Sequence, residues 1–143
     1  MKAGPMKADT RALAARGLSE IALRGASLRD VMERSAPRLA DPRDRALLMA
    51  LLSEGARWWL RFDAAIDGLL EKSLRHKDPA VHALLVLGLV QLEILELQDY
   101  AAVAATVEAV RALKRPQLAG LVNAVLRRWQ RERERMLAKL DAK

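Results

Sequence analysis

Apolar side chains recur along this chain every three to four residues, which is the period of an amphipathic α-helix. The clearest example lies near the end of the chain, where six apolar residues occupy positions i, i+3, i+4, i+7, i+8 and i+11: Leu118, Leu121, Val122, Val125, Leu126 and Trp129. No stretch shows the sustained alternation that is typical of a half-buried β-strand. The pattern therefore predicts an all-α protein whose apolar stripes form the core.

Capping residues divide this pattern into separate helices. Three residues that precede apolar runs have side chains suited to the N-cap: Asp9, Ser27 and Asp41. Gly25 is placed to end the first helix. An Asp-Pro pair at 78–79 begins a helix that is apolar on nearly every side as far as Leu97, which indicates a buried central helix.

The remaining helix boundaries follow from weaker signals. A break near Gly55 or Phe62 is expected to separate the third helix from the fourth. Asp99 is expected to cap the helix after the central one, and Pro116 lies near the start of the last helix. Together these signals predict a compact bundle of about seven helices, forming a single domain over residues 1–143.

The composition fits a folded globular domain, because hydrophobic residues make up 52% and charged residues 30% of the 143 residues. The longest apolar run, residues 83–90, is much shorter than the roughly 18–20 residues that span a bilayer. No secretory signal follows the start of the chain. We therefore expect a soluble cytoplasmic protein that has no membrane among its partners.

Charge is unevenly distributed along the chain, whose net charge is +7. Residues 111–135 contain eight basic and two acidic side chains, whereas residues 78–110 contain five acidic side chains and no Lys or Arg. Such segregation is typical of nucleic-acid-binding proteins, although charge that merely solubilises the outer helix faces is the alternative. The basic residues that this charge map assigns to a binding surface are Lys114, Arg115, Arg127, Arg128 and Arg131.

Residues that enzymes use for chemistry are sparse. The chain has no cysteine, so it contains no thiolate nucleophile and no cysteine-type zinc site. Its two histidines, His76 and His82, have no second set of metal ligands at a suitable spacing and are interpreted as ordinary residues. The seven glycines are scattered, so no glycine-rich phosphate loop exists. The sequence therefore predicts no catalytic residue, no metal site and no cofactor in this chain.

Four segments together resemble the NusB-type RNA-binding fold: DPRDRALLMALLSEGARWWL at 41–60, VHALLVLGLVQLEIL at 81–95, AAVAATVEAVRALKRPQL at 101–118 and GLVNAVLRR at 120–128. The combination of TVEAVRALKRP with GLVNAVLR is similar to the N-terminal NusB-like domain of the bacterial 16S rRNA cytosine-5 methyltransferases, the RsmB/Sun family. The resemblance covers nearly the whole chain, from Thr10 to Arg135.

This resemblance implies an RNA-binding domain that helps to position 16S rRNA for a C-terminal methyltransferase domain. That domain would bind S-adenosylmethionine and supply the attacking cysteine, so the resemblance implies that this chain is the N-terminal part of a longer enzyme and is not an enzyme by itself. The family's arginine-rich first helix, carried over by position, implicates Arg11 and Arg16 in RNA binding, with Lys7 nearby. Arg16 also projects away from the apolar stripe of Leu18 and Ile21.

Two other functions are compatible with the sequence. A freestanding NusB-type transcription antitermination factor would bind nascent RNA together with a ribosomal protein, and a coding sequence no longer than this chain would favour it. A helical module that docks onto a catalytic domain without binding RNA is the third interpretation. RNA binding by the isolated chain would separate that module from the first two.

Overall fold

The structure, a computed structural model, describes residues 8–142. Within this range the chain forms seven α-helices, two short 3₁₀ helices and no strand. The α-helices are α1 (Thr10–Arg24), α2 (Leu28–Ser35), α3 (Pro42–Arg57), α4 (Trp59–Leu69), α5 (Pro79–Glu93), α6 (Asp99–Ala112) and α7 (Ala119–Asp141). The 3₁₀ helices are Ala36–Arg38 and Pro116–Leu118. The predicted all-α bundle is confirmed.

The predicted capping residues begin the first three helices and end the first one. The side chains of Asp9, Ser27 and Asp41 accept hydrogen bonds from backbone N–H groups in the first turns of α1, α2 and α3. Gly25 ends α1 with a φ of 76°, a left-handed conformation that glycine adopts without steric cost. Local chemistry is therefore sufficient to explain where these helices lie.

Helix α5 runs through the centre of the bundle, and every residue from 81 to 92 is buried. It ends at Glu93, earlier than the predicted Leu97, because Glu96 adopts a left-handed conformation and the Leu97 N–H turns back to the carbonyl of Gln91. Leu97 is partly buried against the core, so it is apolar because it packs there and not because it belongs to the helix. Despite this apolar centre, none of the described helices has the length and hydropathy needed to cross a membrane.

Helices α3 and α4 meet at Trp58, so the predicted break exists and lies between the two expected positions, three residues after Gly55 and four before Phe62. Trp58 has φ −103° and ψ 12°, and it ends one helix while beginning the next. Gly55 lies inside α3, at a position where a Cβ atom would lie only 2.8 Å from Cδ2 of Leu18. This glycine therefore allows close packing of α1 against α3 instead of breaking the helix.

Two expectations for the last helices also need correction. The N-cap of α6 is Gln98 and not Asp99, because the Gln98 side-chain oxygen accepts the hydrogen bond from the Ala101 N–H. On α7 most of the predicted stripe is buried, but Leu121 is 38% exposed. Leu121 lies in a groove beside Leu69, the last residue of α4, and so α4 covers only part of the α7 stripe.

Candidate nucleic-acid interface

Four basic side chains from three separate parts of the chain line one cavity of about 390 Å³. They are Arg16 on α1, Lys77 in the loop between α4 and α5, and Lys114 and Arg115 after α6. Arg16, Lys114 and Arg115 are all predicted contact residues, and the structure brings these three together. We call the four residues the junction cluster.

The first turn of α5 adds positive potential to the junction cluster. Residues 79–81 line the same cavity, where the positive end of the helix dipole lies. Asp78, the N-cap residue, forms no side-chain bond with this turn and instead accepts a hydrogen bond from Arg115 Nε at 2.8 Å. The cavity wall therefore carries four cations and a single carboxylate, which favours binding of an anion.

Lys114 has a φ of 62°, a left-handed conformation that is uncommon for a residue with a side chain. It follows α6 at the position where glycine is usual. The N–H groups of Lys114 and Arg115 bond to the carbonyls of Arg111 and Val110, which closes the helix. In a residue with a side chain such a backbone costs about 1 kcal/mol, and here it ends α6 beside the cavity.

Arg16 is exposed in the middle of α1, between buried residues on both sides, as its place opposite the apolar stripe predicts. Its Nη2 donates to the carbonyl of Ala112 at 3.4 Å, which links α1 to the end of α6. Lys77 is the cluster residue that sequence reasoning missed, although its place directly before the Asp-Pro helix start was a usable signal. Lys7, the remaining predicted residue near α1, lies outside the described residues.

Arg11 lies in a different environment from the junction cluster. Its Nε donates to Oε1 of the buried Gln91 at 2.7 Å, and Gln91 in turn donates to Thr106 Oγ1 at 2.9 Å. Burial lowers the pKa of Arg11, while the Asp9 and Asp44 carboxylates act in the opposite direction. Arg11 is therefore held by a buried hydrogen-bond network and is surrounded by negative charge.

The arginines of α7 divide into paired and unpaired residues. Arg128 Nε donates to Glu132 at 2.7 Å, and Arg135 binds the same carboxylate. The hydrogen bond from Arg128, followed by that from Arg135, lowers the pKa of Glu132. Arg127 and Arg131 are exposed, and neither forms a hydrogen bond or ion pair with any residue between 8 and 142. Of the three predicted contacts on α7, two are thus free for a ligand.

Arg133 on the same helix pairs with a nearly buried acid. Its Nη2 lies 2.6 Å from Oε1 of Glu93, whose side chain is only 6% exposed. The indole N–H of Trp129 donates to the other oxygen of this carboxylate at 2.9 Å. The hydrogen bonds to Glu93 raise the pKa of Arg133. The charge of Arg133 therefore satisfies a buried acid and is not available to an external anion.

One cluster outside these regions has the ligand types of a metal site. The side-chain ligand atoms of Asp63, Asp67 and His82 lie within 4.8 Å of one another. The guanidinium of Arg75, however, donates to both carboxylates, and His82 Nε2 lies 2.7 Å from Asp63. The arginine thus supplies the positive charge that a metal would bring. Sequence spacing did not reveal that two acids meet the buried His82, because they reach it only through packing of α4 against α5.

Residues 8–131 match the NusB family. The chain belongs to this family. As a NusB-family domain it is 46% identical over 123 residues to the ribosomal RNA small subunit methyltransferase B of Xanthomonas campestris, a match covering 86% of this chain and 28% of that protein. It is 37% identical over 134 residues to the protein of the same name from Shigella boydii, covering 94% and 31%.

The NusB-family chain therefore spans less than a third of the length of these relatives. The part of those methyltransferases that lies outside the match is not contained in the 143 residues. The chain alone accordingly lacks their catalytic part, in agreement with the expectation that it is not an enzyme by itself. The family and its methyltransferase branch are those that the residues at 101–128 indicated.

Proposed function

We propose that this chain is an RNA-binding domain that helps to position 16S rRNA for a methyltransferase domain C-terminal to it. The observation that carries the proposal is the junction cluster, where cations from α1, the α4–α5 loop and the end of α6 share one cavity. Membership of the NusB family supports RNA as the anion, and the relatives' name supports ribosomal RNA as the target.

RNA would be held mainly through its phosphates. Arg16 and Lys114 offer exposed cations at the cavity, while the first-turn amides of α5 offer hydrogen-bond donors. Arg127 and Arg131, both unpaired within residues 8–142, would supply further phosphate contacts on α7. Phosphate contacts fix register and orientation but do not read bases, so the domain would contribute affinity more than sequence selection.

Chemistry would belong to the part of the longer protein outside these residues. That part would bind S-adenosylmethionine and supply the cysteine nucleophile, neither of which these 143 residues provide. The partners of this domain would then be rRNA and its own methyltransferase domain, in the bacterial cytoplasm. A freestanding factor acting with a ribosomal protein is the rival, and it would share the same RNA surface.

The test replaces Arg16, Lys77 and Lys114, the three cluster residues that form no ion pair within residues 8–142, by alanine and measures RNA affinity against salt concentration. Each phosphate contact on single-stranded RNA adds roughly 0.7 to the slope of log K against log salt, so the triple variant should lose about 2 units of slope. The probe is a mixed-sequence single-stranded RNA, and circular dichroism confirms folding.

The matched control replaces Arg24, Arg38 and Arg57, which are exposed and pair with no residue in the described range. This control changes net charge by the same amount. An equal loss of slope in both variants would mean diffuse electrostatic binding, and the junction cluster would not be the site. Absence of RNA binding by the unmodified chain would favour a helical docking module instead.

A further inference from the structure

Helices α4 and α7 share an exposed apolar surface that the RNA-binding role does not use. On α4 the exposed residues Leu60, Ala64 and Gly68 follow one another at i, i+4 and i+8, which places them on one helix face. Gly68 lines a groove of about 480 Å³ together with Leu121 and Ala124 of α7. We call these five residues the α4–α7 seam.

Leu60 is the most unusual member of the seam, because its side chain is 83% exposed. An aliphatic side chain left in water adds almost nothing to the stability of this domain, whereas its burial by another surface would be favourable. The groove continues this apolar character, since among the residues that the structure describes its charged lining consists of Glu71 and Arg128, and Arg128 already pairs with Glu132. The seam offers few free charges to RNA, so a protein surface is the better match.

The two helices of the seam run in opposite directions and are joined at both ends. Arg61 Nη1 donates to Asp141 at 2.7 Å, which fixes the C-terminal end of α7 beside the start of α4. At the other end Arg128 Nη1 donates to the carbonyl of Leu69 at 3.5 Å. The seam therefore follows the whole of α4, about 16 Å, and the last turn of α7 lies beside the first turn of α4, which contains Leu60.

We propose that the α4–α7 seam docks the polypeptide that follows residue 143 in a chain of the relatives' length, through apolar side chains of that polypeptide. This inference rests on the proposed function for the existence of a following domain. The matched region makes up 28% and 31% of two relatives, so most of their length lies elsewhere. A segment continuing from α7 would start beside Leu60. Only a short loop would then have to close for this segment to reach the seam, and closing a short loop costs little entropy.

The experiment compares residues 1–143 with the full polypeptide that the same reading frame encodes. Hydrogen exchange should be about tenfold slower, or more, in residues 59–69 of the full polypeptide than in the shorter chain. Exchange in α2, which lies outside the seam, should be equal in both. Unchanged exchange in 59–69 would overturn the inference.

A substitution gives an independent measurement. Leu60→Asp should leave the melting temperature of residues 1–143 unchanged, because the side chain is exposed, and should lower that of the full polypeptide by at least ~3 °C. The control is Met49→Asp on α3, where the side chain is 45% exposed outside the seam, and it should have no such effect. Equal shifts in both variants would contradict docking at the seam.

The remaining outcomes separate this inference from the proposed function. A reading frame that ends at residue 143 would overturn the docking inference, while RNA binding by the junction cluster would stand. A concentration-dependent dimer of residues 1–143 that Leu60→Asp abolishes would assign the seam to a second copy and overturn it equally. If the junction-cluster variant of the full polypeptide lost RNA binding while residues 59–69 stayed protected from exchange, both inferences would be supported, because the two surfaces would act independently.

Discussion

The junction cluster and the arginines of α7 are both strongly basic, but their charges have different neighbours. In the junction cluster four cations line a cavity with one carboxylate, and within residues 8–142 Arg115 alone among them forms an ion pair, with Asp78. On α7 three of five arginines between residues 127 and 135 are bonded to Glu93 or Glu132. The region with more arginines therefore has the smaller share of free charge.

This difference shows that the density of charged residues along a sequence does not measure how many charges are unpaired and free to bind a ligand. A helix places residues three and four apart side by side, so arginines and glutamates at these spacings neutralise one another. Glu132 does this for Arg128 and Arg135. In the junction cluster, Arg16 has Glu20 four residues further along α1, but Glu20 pairs with Arg34 of α2 instead, so this acid does not neutralise Arg16. The predictions below test this division.

The largest expected effect concerns stability. Arg133→Ala leaves the Glu93 carboxylate, which is 6% exposed, with the Trp129 indole as its remaining partner. An unpaired buried charge is costly, and because Arg133 itself is half exposed we expect a loss of about 1–3 kcal/mol in the free energy of unfolding. Urea denaturation monitored by circular dichroism measures it.

Arg131→Ala is the matched control for this change, since Arg131 is exposed on the same helix and unpaired within residues 8–142. Its effect on the free energy of unfolding should be within about 0.5 kcal/mol. If both variants were equally stable, the assignment of Arg133 to the core would be wrong.

The next effect concerns RNA binding by α7. Replacing the unpaired Arg127 and Arg131 by alanine should lower the slope of log K against log salt by about 1.4 units, less than the junction-cluster variant loses. The control is the double variant of Arg24 and Arg57, which removes the same charge elsewhere. Fluorescence anisotropy over a salt series measures both. If the α7 variant and this control lost the same amount of slope, the α7 arginines would not be part of the RNA interface.

The smallest expected effect is an increase in the salt dependence of RNA binding. Glu132→Gln frees Arg128 and Arg135, and we expect the salt slope to rise by up to about 0.7 units if either reaches RNA. Glu134→Gln gives the same change in net charge on the same helix and should have a weaker effect. Because its arginine neighbours hold the pKa of Glu132 below its usual range, this pairing is lost only as pH falls through that lowered pKa. Equal gains in the two variants would show that net charge alone matters.

Much of the fold could be predicted because it follows from neighbouring residues. Asp9 and Ser27 cap helices through bonds to amides three residues away, and Gly25 ends α1 through its own backbone. The failures occurred where packing competes with local pattern. Gly55 lies inside a helix, where its lack of a side chain makes room for Leu18 of α1, and Leu97 is apolar although it lies beyond the end of α5.

The sequence by itself determined the helical class, the central position of α5 and the basic character of the segments that meet in the junction cluster. These properties depend on periodicity, capping and composition, which act over a few residues. Only the tertiary structure decided that Arg16 and Lys77 share a cavity with Lys114, that Arg133 serves Glu93, and that Leu121 is left uncovered. Such contacts join residues far apart in the chain, and they exist only after helix packing has chosen which faces meet.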